Sequence, residues 1–255
     1  MFQTLGVTAD MVAALIADDD AGKPRSRQVA PGPSQLGVAC PRQRGYSIAA
    51  VPKISGGGDP LPRWLGTEGH SGLDRILTRH PDWTCEHQIE LTGYGIKGHV
   101  DAYHHPSGTV CDWKFVGSAA MKRYKAEGPS QQYRWQAHLY GTGMSLQGHD
   151  VKHVAIVFIP RSGFTTGIHV WTEPYDPQVT EQALQRYEAI QLVATKLGPA
   201  NVPTGAPGAV NCNWCNWYDP ASSDLSVACT GPSDPPPVTG NVTEPTAQPF
   251  QGAQA

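Results

Sequence analysis

A predicted β-hairpin in the middle of the chain is the feature that most constrains how it can fold. Residues 94–104 and residues 109–116 have strand-like composition, and the His-Pro-Ser-Gly sequence between them is typical of a tight turn. Strands joined so closely lie side by side, so Asp101 on the first and Asp112 on the second can converge on one point. Lys114 follows Asp112 by two residues, and its side chain therefore leaves the same face of the strand.

Two carboxylates and one ammonium group on this hairpin suit metal-assisted hydrolysis of a phosphodiester. Mg²⁺ prefers carboxylate oxygens and binds phosphates through its open positions, while a lysine stabilises developing negative charge. The alternative is a half-buried hairpin with a surface ion pair. Charges in an otherwise apolar strand, however, need a partner, a metal or a function. The apolar neighbours here are Val110, Cys111, Trp113 and Phe115.

Composition indicates a globular protein, because 39% of the 255 residues are hydrophobic and 16% are charged. No apolar run approaches the roughly 18 residues of a membrane span, and the N-terminus lacks the regions of a signal peptide. We therefore predict a cytoplasmic protein, bacterial or in the host of a phage, without a membrane partner. In that compartment the six cysteines are expected to be metal ligands or free thiols.

The net charge of −3 is unevenly distributed, because residues 201–255 carry four acidic residues and no lysine or arginine. The first 200 residues hold 19 basic and 18 acidic residues. Phosphate binding would therefore depend on local clusters and on metal rather than on a global field. One cluster contains Lys122 and Arg123, which could contact a phosphate backbone or form a solvated helix face.

Three further candidates lie in predicted helices. His70 falls within residues 61–80, where a helix histidine is either structural or a ligand for a divalent metal. Gln136 and Tyr140 share one face of a helix predicted over residues 130–144. Both can hydrogen-bond to a phosphate or to a metal-bound water, and the alternative for Tyr140 is a core position.

A Cys-x-x-Cys sequence, Cys212 and Cys215, lies in an aromatic loop, and thirteen residues separate it from Cys229. Zinc sites and iron–sulfur clusters both use this spacing, and Cys40 is the obvious distant candidate for a fourth ligand. The other two cysteines fall in predicted strands and are expected to be core thiols: Cys85 and Cys111.

Periodicity elsewhere predicts helices over 7–19, 34–50 and 176–197, and strands over 84–91, 151–159 and 166–171. Residues 231–255 are rich in proline and lack hydrophobic periodicity, so we expect them to be disordered.

Taken in order, these motifs resemble the RecB-like branch of the PD-(D/E)XK nucleases. The resemblance is greatest to the iron–sulfur exonucleases related to AddB and to the RecB-like CRISPR-associated exonucleases. It implies an α/β fold with a mixed central sheet flanked by helices, a restriction-endonuclease-like core and a cysteine-ligated C-terminal segment. The nuclease domain would span 34–230, after an N-terminal helix and loop over 1–33. The motifs are Cys40, His70, Gly98-x-x-Asp101, Asp112-x-Lys114, Gln136-x-x-x-Tyr140 and the C-terminal cysteines.

The resemblance also implies roles. His70, Asp101 and Asp112, with the backbone carbonyl of Trp113, would bind Mg²⁺ or Mn²⁺. Lys114 would stabilise the transition state or orient the attacking water. DNA, as single strands or ends, would lie against Gln136 and Tyr140, together with the basic cluster of Lys122 and Arg123. A [4Fe–4S] cluster, or alternatively Zn²⁺, would bind Cys40, Cys212, Cys215 and Cys229.

The resulting prediction is a metal-dependent deoxyribonuclease, an exonuclease active in recombination, repair or phage DNA processing. A recombination or replication protein would be its expected partner. Two other functions compete with it. One is a non-catalytic nucleic-acid-binding subunit that retains the fold, and the other is a structural zinc protein.

Overall fold

The computed structural model describes residues 8–22, 31–55, 58–206 and 210–232. Within these ranges the helices are α1 (Ala9–Gly22), α2 (Pro33–Leu36), α3 (Pro41–Ile48), α4 (Leu61–Leu77), α5 (Ser118–Glu127), α6 (Gln131–Leu146) and α7 (Pro177–Lys196). The strands are β1 (Trp83–Leu91), β2 (Ile96–His104), β3 (Thr109–Val116), β4 (His153–Pro160) and β5 (His169–Pro174).

The five strands form one mixed sheet in sequence order. Neighbouring strands are antiparallel except for β3 and β4, which run parallel. A parallel pair requires a long crossover, and α5 and α6 supply it here. The predicted fold class, a mixed sheet flanked by helices that is consistent with a restriction-endonuclease-like core, is confirmed.

The chain divides into two compact units. The first takes its described residues from Met1–Gly32, Gly58–Ser130 and Tyr140–Tyr175, and it contains the sheet. The second takes them from Pro33–Gly57, Gln131–Leu139 and Asp176–Ala255. The boundaries predicted from sequence, 1–33, 34–230 and 231–255, stay predictions. Most of the tail expected to be disordered, residues 233–255, lies outside the described residues.

Each unit has apolar side chains packed at its centre. In the first unit Ala102, Cys111, Trp113 and Ala155 form a cluster against the inner face of α4, which contributes Leu73 and Leu77. In the second unit α3 and α7 pack together, and the buried residues include Tyr46, Ile190, Ala194, Val202 and Trp217.

The hairpin predicted from sequence is confirmed, with β3 spanning the predicted residues 109–116. Its turn closes with a hydrogen bond from the Gly108 N–H to the His105 carbonyl. Gly108 has φ +61°, and a Cβ there would lie 2.5 Å from the Asp150 carbonyl oxygen. Glycine meets both requirements, since it tolerates the left-handed backbone and leaves room for the neighbouring chain.

The helix predicted over residues 34–50 is wrong, because the chain forms two helices there, α2 and α3. Pro41 disfavours helical backbone in the residue before it and lacks an N–H. Cys40 accordingly has extended angles, φ −94° and ψ 111°, and Pro41 begins α3. The last predicted strand, 166–171, is displaced: Thr165–Gly167 forms a 3₁₀ turn, and β5 begins at His169.

Among the described residues, none of the helices combines the length and the apolar content needed to cross a bilayer.

Candidate active site

The candidate site lies where β2 and β3 stop pairing. The paired residues run from His104–Thr109 to Ala102–Cys111. At the next position the side chain of Asp101 replaces the backbone ladder, because its Oδ2 accepts a 2.8 Å hydrogen bond from the Trp113 N–H. Asp101 is only 5% exposed. Asp101 is thereby fixed to β2 through its backbone and to β3 through its side chain.

Asp112 and Lys114 leave β3 on one face, as predicted. Lys114 Nζ lies 2.5 Å from Asp112 Oδ2, and Asp112 is 1% exposed. Burial raises the pKa of Asp112 to about 6, and the charge of Asp101 adds to this effect while Lys114 opposes it. A buried carboxylate whose pKa is raised beside a second carboxylate is typical of sites that bind cations or transfer protons.

Asp101 behaves in the opposite way. Burial by itself would raise its pKa, but the hydrogen bond and charge of His70, with Lys114 and the Trp113 N–H, lower it overall. His70 Nδ1 lies 3.2 Å from Asp101 Oδ1. The environment therefore drives the pKa values of the two carboxylates apart and keeps Asp101 ionised.

His70 reaches the sheet because α4 packs closely on β3. A Cβ on Gly69 would lie 2.3 Å from the Phe115 ring, so only glycine fits at this contact. The centroids of the His70 and Phe115 rings lie 5.8 Å apart. The helix runs on past Ser71 and Gly72 to Leu77. The glycine before the histidine is thus what allows the imidazole to approach Asp101.

Glu86 is a member of the site that the sequence reasoning did not select. Ligand atoms of His70, Glu86 and Asp101 all lie within 4.8 Å of one another, which suits a metal ion. Burial raises the pKa of Glu86, and the charge of Asp101 adds to this while His99 and His70 oppose it. A carboxylate in the strand before Asp101 was the available signal, but its register with β2 was not predictable.

The other predicted DNA contacts lie outside this group of residues. Lys122 and Arg123 are exposed on α5, which begins two residues after β3 ends, and the Arg123 guanidinium lies 5.1 Å from the Tyr124 ring centroid. Tyr140 and Gln136 lie on α6 and are each 3% exposed. Tyr140 belongs to the unit with the sheet, whereas Gln136 belongs to the other unit.

The four predicted cysteine ligands come together in the second unit. Cys40, Cys212, Cys215 and Cys229 all line one cavity of about 160 Å³. Burial raises the pKa values of Cys212 and Cys215, and the charges of Cys40 and Cys229 raise both further, while the backbone hydrogen bond of Trp217 opposes the rise at Cys215. The strand cysteines instead join the apolar cluster under α4, as expected for core thiols: Cys85 and Cys111.

No family model matches the chain, and no curated protein matches it. Among solved structures, it is similar to the alkaline exonuclease LHK-Exo from Laribacter hongkongensis, with 12% identity and a TM-score of 0.50 over 69% of this chain and 92% of that one. The protein SSO0001 is 17% identical to it, with a TM-score of 0.48 over 83% of this chain and 95% of that one. A phage-related exonuclease from Haemophilus somnus 129PT is 15% identical to it, with a TM-score of 0.40 over 61% of this chain and 79% of that one. The likeness to the Laribacter enzyme shows the fold.

Proposed function

We propose that this chain is a divalent-metal-dependent deoxyribonuclease, and more narrowly an exonuclease that acts on DNA ends or single strands. The observation that carries the proposal is the convergence of Asp101, Asp112 and Lys114 at the place where β2 and β3 separate. The shared fold with an enzyme described as an alkaline exonuclease supports the same class.

The charges of the site favour a cation. Asp101 and Asp112 are both buried, with Lys114 against Asp112 and His70 against Asp101. Two neighbouring buried carboxylates disfavour each other's charged form, and a divalent ion bound to both would offset that repulsion. Two carboxylates with an imidazole are also ligands that Mn²⁺ and Mg²⁺ accept. The residues present therefore fit a divalent ion.

We assign the ion to His70, Asp101, Asp112 and the backbone carbonyl of Trp113. When bound, it would supply an activated water and neutralise charge on the phosphate. Lys114, held against Asp112, is placed to stabilise negative charge on the phosphate oxygens or to orient the water. Such a group is worth several kcal/mol in the transition state.

DNA would lie against the exposed basic face of α5. Lys122 and Arg123 point outwards while Met121 and Tyr124 pack inwards, so the helix presents its charges to solvent. Basic side chains of this kind contact phosphates without reading sequence. Gln136 and Tyr140 are further proposed contacts, which rest on the family resemblance. A recombination or replication protein is the proposed partner.

The test is digestion of end-labelled single- and double-stranded DNA with Mg²⁺ or Mn²⁺. The wild-type protein should shorten the DNA, and Asp112→Asn and Lys114→Met should lose about 100-fold or more in rate. Lys97→Met is the matched control, because Lys97 is an exposed lysine of β2 paired with Glu90. Binding of DNA without cleavage in every metal would instead favour a non-catalytic subunit.

A second proposal concerns the cysteines, which we assign to a [4Fe–4S] cluster. Cys40, Cys212, Cys215 and Cys229 line one cavity. Four thiolates are a ligand set that both a [4Fe–4S] cluster and structural zinc use. The family resemblance favours the cluster, and zinc is the alternative.

Anaerobic purification tests this assignment. We expect a brown protein that contains iron and sulfide and that loses both in Cys212→Ser. Cys85→Ser is the control, since Cys85 lies in β1 and packs against the cluster under α4. A colourless protein with one equivalent of zinc would refute the cluster and favour the zinc alternative.

A further inference from the structure

We propose that Glu86 is a ligand of the same metal ion as His70 and Asp101, so that β1 contributes directly to the site. This inference rests on the proposed nuclease function and extends it by one residue. The ion would then be held by one helix and two strands rather than by the hairpin alone. The ligand atoms of the three residues already lie within 4.8 Å of one another.

The strand register places Glu86 against Asp101. Cys85 pairs with Ala102 and His87 pairs with Val100, so Glu86 lies level with Asp101 at a position where the ladder is interrupted. Glu86 has a left-handed φ of +47° there, so its side chain does not follow the regular alternation of the strand. The distances between ligand atoms show that the two carboxylates nevertheless face the same space, into which α4 brings His70.

Two opposed carboxylates repel each other unless a cation lies between them. Another glutamate of the same strand has a basic neighbour instead. Glu90 stands opposite Lys97 on β2, and its carboxylate forms an ion pair with the Lys97 ammonium group at 3.2 Å. Across the described residues, Glu86 forms no such ion pair with a lysine or arginine. Its cross-strand neighbour is an acid instead, and a divalent ion would convert the repulsion into attraction.

The ligand types also suggest which ion binds best. Imidazole suits transition metals more than Mg²⁺, whereas carboxylates suit Mg²⁺ and Mn²⁺ alike. A set of two carboxylates and one histidine is therefore expected to bind Mn²⁺ more tightly than Mg²⁺. Glu86 is solvent-exposed whereas Asp101 is buried, so the ion would remain open to solvent and substrate on the Glu86 side.

The experiment is calorimetric titration of the purified protein with MnCl₂ in the absence of DNA. Glu86→Gln should weaken Mn²⁺ binding by about 10- to 100-fold. Without metal its melting temperature should be unchanged or higher, because the substitution removes a like-charge contact. Glu90→Gln, in the same strand and also exposed, should bind Mn²⁺ like the wild type.

Asp101→Asn separates the two proposals. If Asp101→Asn loses Mn²⁺ binding while Glu86→Gln keeps wild-type affinity, the role of Glu86 is refuted and the metal site of the nuclease stands. If the wild-type protein binds no Mn²⁺, or Asp101→Asn binds it unchanged, both proposals are overturned. Loss in Asp101→Asn and Glu86→Gln, with none in Glu90→Gln, supports both.

Discussion

The backbone N–H of Trp113 donates a 2.8 Å hydrogen bond to Asp101 Oδ2, so a side chain of β2 holds the backbone of β3 between Asp112 and Lys114. Asp101 therefore has two separable roles, as a charged group and as a hydrogen-bond acceptor. Its neighbours on β3 depend on the second role for their position. Substitutions that remove one role or both distinguish them.

We expect Asp101→Asn to keep the acceptor for Trp113 and to lose the charge. Asp101→Ala loses both and leaves a buried N–H unsatisfied. Because an unsatisfied buried donor costs about 1–3 kcal/mol, Asp101→Ala should be less stable than Asp101→Asn by that amount. Urea unfolding of the two variants measures the difference, and equal stabilities would show that the hydrogen bond does not support the strand.

The contact between Gly69 and Phe115 gives a second prediction. A Cβ at Gly69 would lie 2.3 Å from the ring, so Gly69→Ala should displace α4 and cost about 1–3 kcal/mol. Mn²⁺ affinity should fall with it, since His70 is carried by the same turn. Gly66→Ala and Gly72→Ala are matched controls in the same helix, because nothing lies within 4 Å of either added Cβ. They should be neutral or stabilising by up to about 1 kcal/mol.

Tyr46 gives a third prediction, in the second unit. Its hydroxyl lies 2.7 Å from the Leu225 carbonyl oxygen and 2.8 Å from that of Ala228, and the side chain is fully buried. Tyr46→Phe leaves these buried acceptors without their donor and should lower the free energy of unfolding by about 1–2 kcal/mol. Tyr218→Phe, at a partly exposed tyrosine of the same unit, is the control and should change it by less than about 0.5 kcal/mol. A similar loss in both variants would contradict the prediction.

A fourth prediction concerns pH. Burial lowers the pKa of His149, and the charges of His87 and His105 lower it further. The unfolded chain therefore binds this proton more readily, so the stability contributed by neutral His149 is complete above the ordinary pKa of about 6.5 and is lost below it. We therefore compare melting temperatures at about pH 7.5 and about pH 5.5, which bracket this ordinary pKa. Between these two values the melting temperature of His149→Gln should fall less than that of the wild type.

The control for this measurement is His80→Gln, at an exposed position beyond α4. It should keep the wild-type dependence on pH. If His149→Gln follows the wild-type curve as well, the histidine group formed with His87 and His105 does not contribute to acid sensitivity.

Local pattern was enough to predict much of the first unit. The turn at Gly108, the bounds of β3 and the shared face of Asp112 and Lys114 all follow from residues close together in the chain. α7 was equally predictable from its amphipathic periodicity. The structure adds that Asp176 caps it by accepting a hydrogen bond from the Gln178 N–H. The helix predicted from Ser34 as an N-cap is instead broken before Pro41, because a proline disfavours helical backbone in the residue that precedes it.

By itself the sequence determined where most helices and strands form and which face of β3 carries charge, because these depend on side-chain periodicity and turn chemistry. Only the tertiary structure decided that Glu86 stands opposite Asp101 and that Gly69 meets Phe115. It likewise decided that Cys40 shares a cavity with cysteines more than 170 residues away. Register and close approach depend on packing between distant segments, and no local pattern specifies that packing.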